Sequence, residues 1–157
     1  MKINLKTHLV LIFLFSTYSL YCMELSPLDS SKQMLNFNND WKFSLGDFPA
    51  AVYLEFDDSG WRNLDLPHDW SIEGKIDRNN STGSGGGYFP AGIGWYRKKI
   101  NIPSTWQGKR LSIYFEGVYM NSEVFINGKS LGIHPYGYTS FYYDLTPHLI
   151  YNKENIV

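Results

Sequence analysis

The chain has 157 residues with 14 basic and 15 acidic side chains, a formal net charge of −1 and 17% aromatic residues. That length carries one ordinary domain with its own core, and the charge balance excludes the basic stripe with which a nucleic-acid binder displaces counterions. One cysteine excludes a disulfide-held fold, and four scattered histidines (His8, His68, His134, His148) lack zinc-ligand spacing, so no metal or cofactor is expected.

Lys2 and Lys6 precede an apolar run over residues 9–15. A basic start followed by a run too short to span a bilayer predicts a signal peptide over residues 1–22 and an exported protein, periplasmic or extracellular. Cys22 stands just after that run. Two fates are open for it: a lipid attachment that anchors the protein to the membrane, or removal with the signal. Tyr21 stands where a lipoprotein signal carries a small residue, and no small-x-small cleavage site stands out. Without Lys2 and Lys6 the mature chain has 12 basic against 15 acidic residues, a net charge near −3. Residues 23–34 are polar and read as a linker, leaving 35–157 as the domain.

Within the domain the pattern is one of short strands and turns. Phe37, Trp41, Phe43 and Leu45 recur at nearly period two, as do Trp61, Leu64 and Leu66 before Pro67. Between them, residues 57–61 suit one short helical turn capped by Asp57 and Asp58. Residues 95–102 read as one strand with Tyr96, Ile100 and Ile102 on a common face, and Leu111, Ile113 and Phe115 alternate likewise. Asn127-Gly128, between the apolar runs 124–126 and 129–133, is the favoured two-residue hairpin turn because both positions accept positive φ. Further strands are expected over 141–145 and from 155, the latter stopping at Val157 with its sheet partners unmade. No segment keeps helical spacing over three turns, so the fold class is all-β, an antiparallel sandwich.

Chemistry-bearing motifs are few. The stretch Ser81-Thr82-Gly83-Ser84-Gly85-Gly86-Gly87 runs into Tyr88-Phe89-Pro90 rather than into Lys-Ser/Thr and a helix, so it does not read as a phosphate cradle. It reads as a surface loop, or as a loop tip bordering a ligand. Asp57, Asp58, Asp69 and Glu73 lie near it in sequence, and adjacent Asp57 and Asp58 point to opposite sides of an extended chain. Neither arrangement is the paired carboxylate of a glycosidase. Most aromatics are expected to fill the core. Tyr88, Phe89, Tyr136 and Tyr138 lie beside Gly or Pro in loops, where they either bind sugar rings or pack against another domain.

Taken in order, the motifs resemble a known family. Phe56-Asp57-Asp58-Ser59-Gly60-Trp61 is followed by Leu66-Pro67-His68-Asp69-Trp70 and by Gly94-Trp95-Tyr96-Arg97-Lys98. Then come Phe115-Glu116-Gly117-Val118-Tyr119-Met120-Asn121-Ser122, Val124-Phe125-Ile126-Asn127-Gly128-Lys129-Ser130-Leu131-Gly132, and His134-Pro135-Tyr136-Gly137-Tyr138-Thr139-Ser140-Phe141 with Asp144-Leu145-Thr146. In order and spacing this series, from about residue 35 to 157, resembles the sugar-binding domain of glycoside hydrolase family 2, in its β-galactosidase branch. The resemblance implies a galactose-binding-like jelly-roll sandwich that acts on β-linked carbohydrate. It implies retaining exo-glycosidase chemistry carried by two glutamates of a downstream TIM barrel, reached through an immunoglobulin-like domain. No catalytic residue is therefore expected in this chain, which would be a fragment truncated at its C-terminus and inactive alone. An asparagine before the Gly-Trp-Tyr strand contacts substrate in the family, which makes Asn79 or Asn80, with Tyr88 beside them, the candidate sugar contacts. The competing readings are a free-standing carbohydrate-binding module and a surface domain that only supports protein contacts.

Overall fold

The computed structural model describes residues 33–157, of which Asn36–Val157 form one compact unit. The expected signal segment 1–22, Cys22 and the linker up to residue 32 lie outside the described residues. Nine strands are present among the described residues: β1 (Trp41–Leu45), β2 (Arg62–Leu64), β3 (Gly94–Arg97), β4 (Lys99–Asn101), β5 (Ser112–Phe115), β6 (Ser122–Ile126), β7 (Lys129–His134), β8 (Phe141–Asp144) and β9 (Glu154–Ile156). The only helical elements described are single 3₁₀ turns, as Gly, Pro and Asn punctuation every few residues dictates.

Strands β2, β1 and β3 form an antiparallel three-stranded sheet in that order. The remaining strands pair antiparallel in a nested set, β4 with β9, β5 with β8 and β6 with β7. Such nesting, in which the chain doubles back around its own innermost hairpin, is the jelly-roll arrangement. The innermost turn is Asn127-Gly128, with φ of +49° and +80°. A Cβ on Gly128 would stand 3.0 Å from the Tyr53 ring, so both the backbone and the space demand glycine there.

Period two explains the core. Ile113 is buried between exposed Ser112 and Tyr114, while Val124 and Ile126 face inward from β6. Ile113, Ile126 and Leu145 form a cluster packed by Phe37, Phe115, Leu131, Tyr143, Leu149 and Val157. Each buried aliphatic chain contributes about 1.5–3 kcal/mol relative to exposure. The other inward positions are Trp41, Phe43, Ala51, Ile102 and Ile156. No described Phe or Trp is exposed, and the exposed aromatics are all tyrosines: Tyr53, Tyr114, Tyr119, Tyr136, Tyr138 and Tyr142. Tyrosine is the aromatic whose polar end tolerates water.

Three local expectations are corrected. Residues 95–102 are not one strand. The chain changes sheets at Lys98, whose backbone exchanges hydrogen bonds of 2.9 and 3.0 Å with Val157, so β3 belongs to one sheet and β4 to another. Residues 57–61 hold a turn rather than a helical turn: Asp57 accepts the Ser59 amide at 3.0 Å, the Trp61 amide donates to the Asp58 carbonyl at 3.0 Å, and the Asp58 carboxylate reaches Arg97. The strand expected to start at 155 without partners is paired. Strand β9 lies along β4, Asn155 and Ile156 are buried, and the Ile156 carbonyl accepts the Asn127 amide at 2.9 Å.

Candidate functional site

The long connection from β2 to β3, residues 65–93, is the largest irregular feature of the domain and carries the sequence candidates. Its start is pinned by side chains. Arg62 on β2 forks onto Glu73 at 2.9 and 3.0 Å. His68 sits between them, its Nδ1 2.8 Å from the Tyr96 hydroxyl on β3 and its Nε2 3.2 Å from Glu73 and against the Arg62 guanidinium. The Arg62 guanidinium also lies 5.4 Å over the Phe43 ring, which ties the cluster to β1. Asp69 accepts both the amide and the hydroxyl of Ser71, at 2.9 and 2.7 Å, which starts the 3₁₀ turn Ser71–Glu73. Trp70 lies on the backbone of Gly94, where a Cβ would come within 2.8 Å of the indole nitrogen.

The glycine-rich part is a closed lobe. Asn80 donates its side-chain amide to the carbonyls of Lys75 and Tyr88, at 2.9 and 2.8 Å, clipping the two ends of the lobe together. The Thr82 hydroxyl donates to the Phe89 carbonyl at 2.6 Å, and the Tyr88 amide to the Gly83 carbonyl at 2.8 Å. Gly83, Gly87 and Tyr88 take φ of +56°, +63° and +58°, so two glycines and one strained tyrosine turn the lobe back on itself.

The three candidates thus share one lobe but differ in what they are free to do. Asn80 spends its donors on the lobe. Tyr88 is half-buried, and its carbonyl serves the clip. Asn79 is exposed; its backbone amide is held by the Asp77 carboxylate at 2.9 Å, and its side chain makes no hydrogen bond among the described residues. Two groups escaped the sequence reading. His68 and Arg97 are polar residues on otherwise patterned segments, and only the fold brings their partners to them.

Arg97 is the more consequential. It is 1% exposed, donates to the carbonyls of Ala51 and Tyr53 at 2.8 Å each and to that of Phe56 at 3.4 Å, and pairs with Asp58. It also lies 5.2 and 5.9 Å over the rings of Phe56 and Trp61. Burial pulls its guanidinium below the usual range, with the charge and hydrogen bond of Asp58 acting the other way. The motif 56–61 therefore forms a socket for the arginine of the motif 94–98.

Two acidic groups of this region, Glu73 and Asp57, are held in their charged form. Glu73 is held below the usual carboxylate range by its hydrogen bonds from Arg62, and Asp57 by those from Ser59. A general acid for glycoside cleavage requires the opposite shift. The Tyr96 phenol is pushed up to about 12, first by burial and then by the charges of Asp69 and Glu73, so it stays protonated beside His68. Among the described residues no three His, Cys, Asp or Glu side chains converge as a metal site. The arrangement suits binding: a braced lobe that carries an exposed amide.

Comparison with known proteins identifies the domain. The description "Glycosyl hydrolases family 2, sugar binding domain" matches residues 34–157. A β-galactosidase of Bacteroides ovatus is 53% identical over 132 residues, covering 84% of this chain and 16% of that protein. A putative β-glucuronidase of Formosa agariphila is 44% identical over 135 residues, covering 86% of this chain and 13% of that protein. Among solved structures, a β-glycosidase from Bacteroides vulgatus superposes with a TM-score of 0.75 at 52% identity, covering 80% of this chain and 16% of its own. The Bacteroides uniformis β-glucuronidase gives 0.69 at 31%, covering 79% and 14%. The chain therefore spans only about one sixth or less of the length of these relatives.

Proposed function

The chain belongs to glycoside hydrolase family 2 through its sugar-binding domain, and from that premise we propose that it is the accessory sugar-binding part of a retaining, β-galactosidase-like exo-glycosidase. Two carboxyl groups of a downstream barrel would perform the hydrolysis, one protonating the leaving oxygen and the other attacking the anomeric carbon. An immunoglobulin-like domain would lie between. The role of this domain is to hold the non-reducing sugar, and the observation that carries the reading is the braced lobe. Its ends are clipped by Asn80 while Asn79 remains exposed beside them. The Asn79 side chain keeps its donor and acceptor for a sugar hydroxyl, and the braced backbone that carries it limits the entropy lost on binding. The 53% identity to a protein named β-galactosidase favours galactose over glucuronate.

Titration of the purified chain with methyl β-galactoside and methyl β-glucuronide, followed by amide NMR, tests this. Shifts are expected in residues 75–90 with the galactoside, weakened about three- to tenfold by Asn79→Ala, the loss of one hydrogen-bonding group. Chromogenic β-galactoside should not be turned over by the chain alone. A lobe silent to both sugars would remove the binding role. Turnover abolished by substituting Glu73 or Asp69 would remove the accessory one.

We further propose that residues 1–22 direct export, resting on Lys2, Lys6 and the apolar run 9–15. Mass spectrometry of protein recovered from the periplasm or medium should show an N-terminus beyond about residue 20, and an intact Met1 would contradict it. With a lipid on Cys22 as the anchor, Cys22→Ala releases the protein from membranes.

A further inference from the structure

Asn127-Gly128 is the single Asn-Gly pair in the chain. With no side chain on the following residue, the glycine nitrogen meets little obstruction on its way to the asparagine side-chain carbonyl carbon. An Asn-Gly pair in a free chain therefore cyclises readily. The Gly128 nitrogen bonds to Asn127 Cγ, and its proton leaves with the side-chain nitrogen as ammonia. Water then opens the succinimide at either carbonyl, giving aspartate or isoaspartate.

In this fold every group that must move is held, and all the partners lie on one segment. Asn127 Nδ2 donates to the His148 carbonyl and to Asn155 Oδ1, both at 2.8 Å. Its Oδ1 accepts the Ile156 amide at 2.9 Å, and its own backbone amide donates to the Ile156 carbonyl at 2.9 Å. Swinging Cγ onto the Gly128 nitrogen breaks the three side-chain bonds at once. We propose that Asn127-Gly128 is a spontaneous deamidation site that the segment 148–156 keeps latent, and that its modification releases the strand that protects it.

The second half follows from what the product lacks. A carboxylate at position 127 has no N–H for the His148 carbonyl or for Asn155 Oδ1, so acceptor faces acceptor at both contacts. It also lines the same open groove as Glu55 and Glu154, which adds like charge. Isoaspartate goes further, because the extra backbone atom destroys the two-residue turn. Opening of β9 admits the reaction, and the product keeps β9 open. The consequence is a one-way chemical clock on the jelly-roll closure, set by how often β9 opens.

Incubation of the full chain at mildly alkaline pH, native and in urea, with peptide mapping for aspartate and isoaspartate at position 127, tests the proposal. Native deamidation should be at least about tenfold slower than in urea, as protection by a local opening equilibrium requires. Asn155→Ala should bring the native rate toward the urea rate. Asn127→Asp should speed hydrogen exchange of the Ile156 amide. Equal rates in native buffer and urea would overturn the latency, whether or not Asn155→Ala folds. Unchanged exchange at Ile156 in a folded Asn127→Asp protein would overturn the release of β9.

Discussion

Replacing Arg97 with methionine is expected to cost the domain about 3–5 kcal/mol, the range found when one partner of a buried ion pair is removed. The charge itself is not the main reason. Arg97 donates to three carbonyls, of Ala51, Tyr53 and Phe56, in the connection that links β1 to β2, and only that of Tyr53 has a second donor among the described residues, the Phe56 amide at 3.3 Å. Methionine fills much of the volume but leaves the Ala51 and Phe56 carbonyls and the Asp58 carboxylate, whose side chain is 14% exposed, without partners. Each unsatisfied group costs about 1–3 kcal/mol. Lysine keeps the charge yet has no planar fork for several acceptors, so Arg97→Lys should lose an intermediate amount. Asp58→Ala combined with Arg97→Met should cost less than the sum of the single changes, because the second removes a charge the first has already orphaned. Urea unfolding reads all three. An Arg97→Met protein that unfolds at the parent's midpoint would show that the socket does not hold the domain.

Why the sequence reading missed Arg97 is a matter of distance along the chain. Its partners lie 39 to 46 residues earlier, and nothing local to 94–98 marks the arginine as inward. Periodicity there put Tyr96 in and Arg97 out, since an arginine has no reason to face a core until a carboxylate and free carbonyls are known to wait in it. The sheet change at Lys98 was hidden for the same reason: a strand that hands over from one sheet to another keeps an unbroken extended pattern. Asp58 was placed as a cap on its own turn, yet its partner is across the fold.

Where the governing chemistry is local, residues and structure agree closely. Asn127-Gly128 needs only its own two positive φ values to make a hairpin, and β6 and β7 pair across it as the alternation of 124–126 and 129–133 requires. The alternation of Leu111, Ile113 and Phe115 likewise survives intact. The glycine-rich lobe falls between these cases. Its glycines announce a loop, but its closure depends on Asn80 and Thr82 reaching carbonyls five to eight residues away. Composition alone suggests a flexible tether, whereas two side chains convert it into a braced element. The candidate site was legible as a location, and its division into a clip (Asn80) and a free amide (Asn79) was not.

Asn155→Ala is expected to be the second most damaging single change, at about 2–4 kcal/mol. The residue is fully buried at the point where the last strand meets the innermost hairpin. Its Oδ1 accepts from the Ile150 amide at 2.7 Å and from Asn127 Nδ2 at 2.8 Å. Its Nδ2 donates to the carbonyls of Ile150 and Lys153, at 2.8 and 3.0 Å. Both ends of the amide are therefore used, and alanine leaves two donors and two acceptors without this partner. Aspartate, though nearly the same shape, should do no better. It keeps the acceptor and replaces the donor with a charge facing two carbonyls. The damage should be felt first locally: amide exchange at residues 150–156 should rise before that of β5 and β6, because the ladder from β4 and the Asn127 contacts are what hold β9 in place. Asn101→Ala, an exposed change on the neighbouring strand β4, serves as the control and should stay within about 0.5 kcal/mol of the parent. If Asn155→Ala unfolds together with that control, the amide knot contributes nothing, and closure of the jelly roll rests on the β4–β9 ladder and the burial of Ile156 alone.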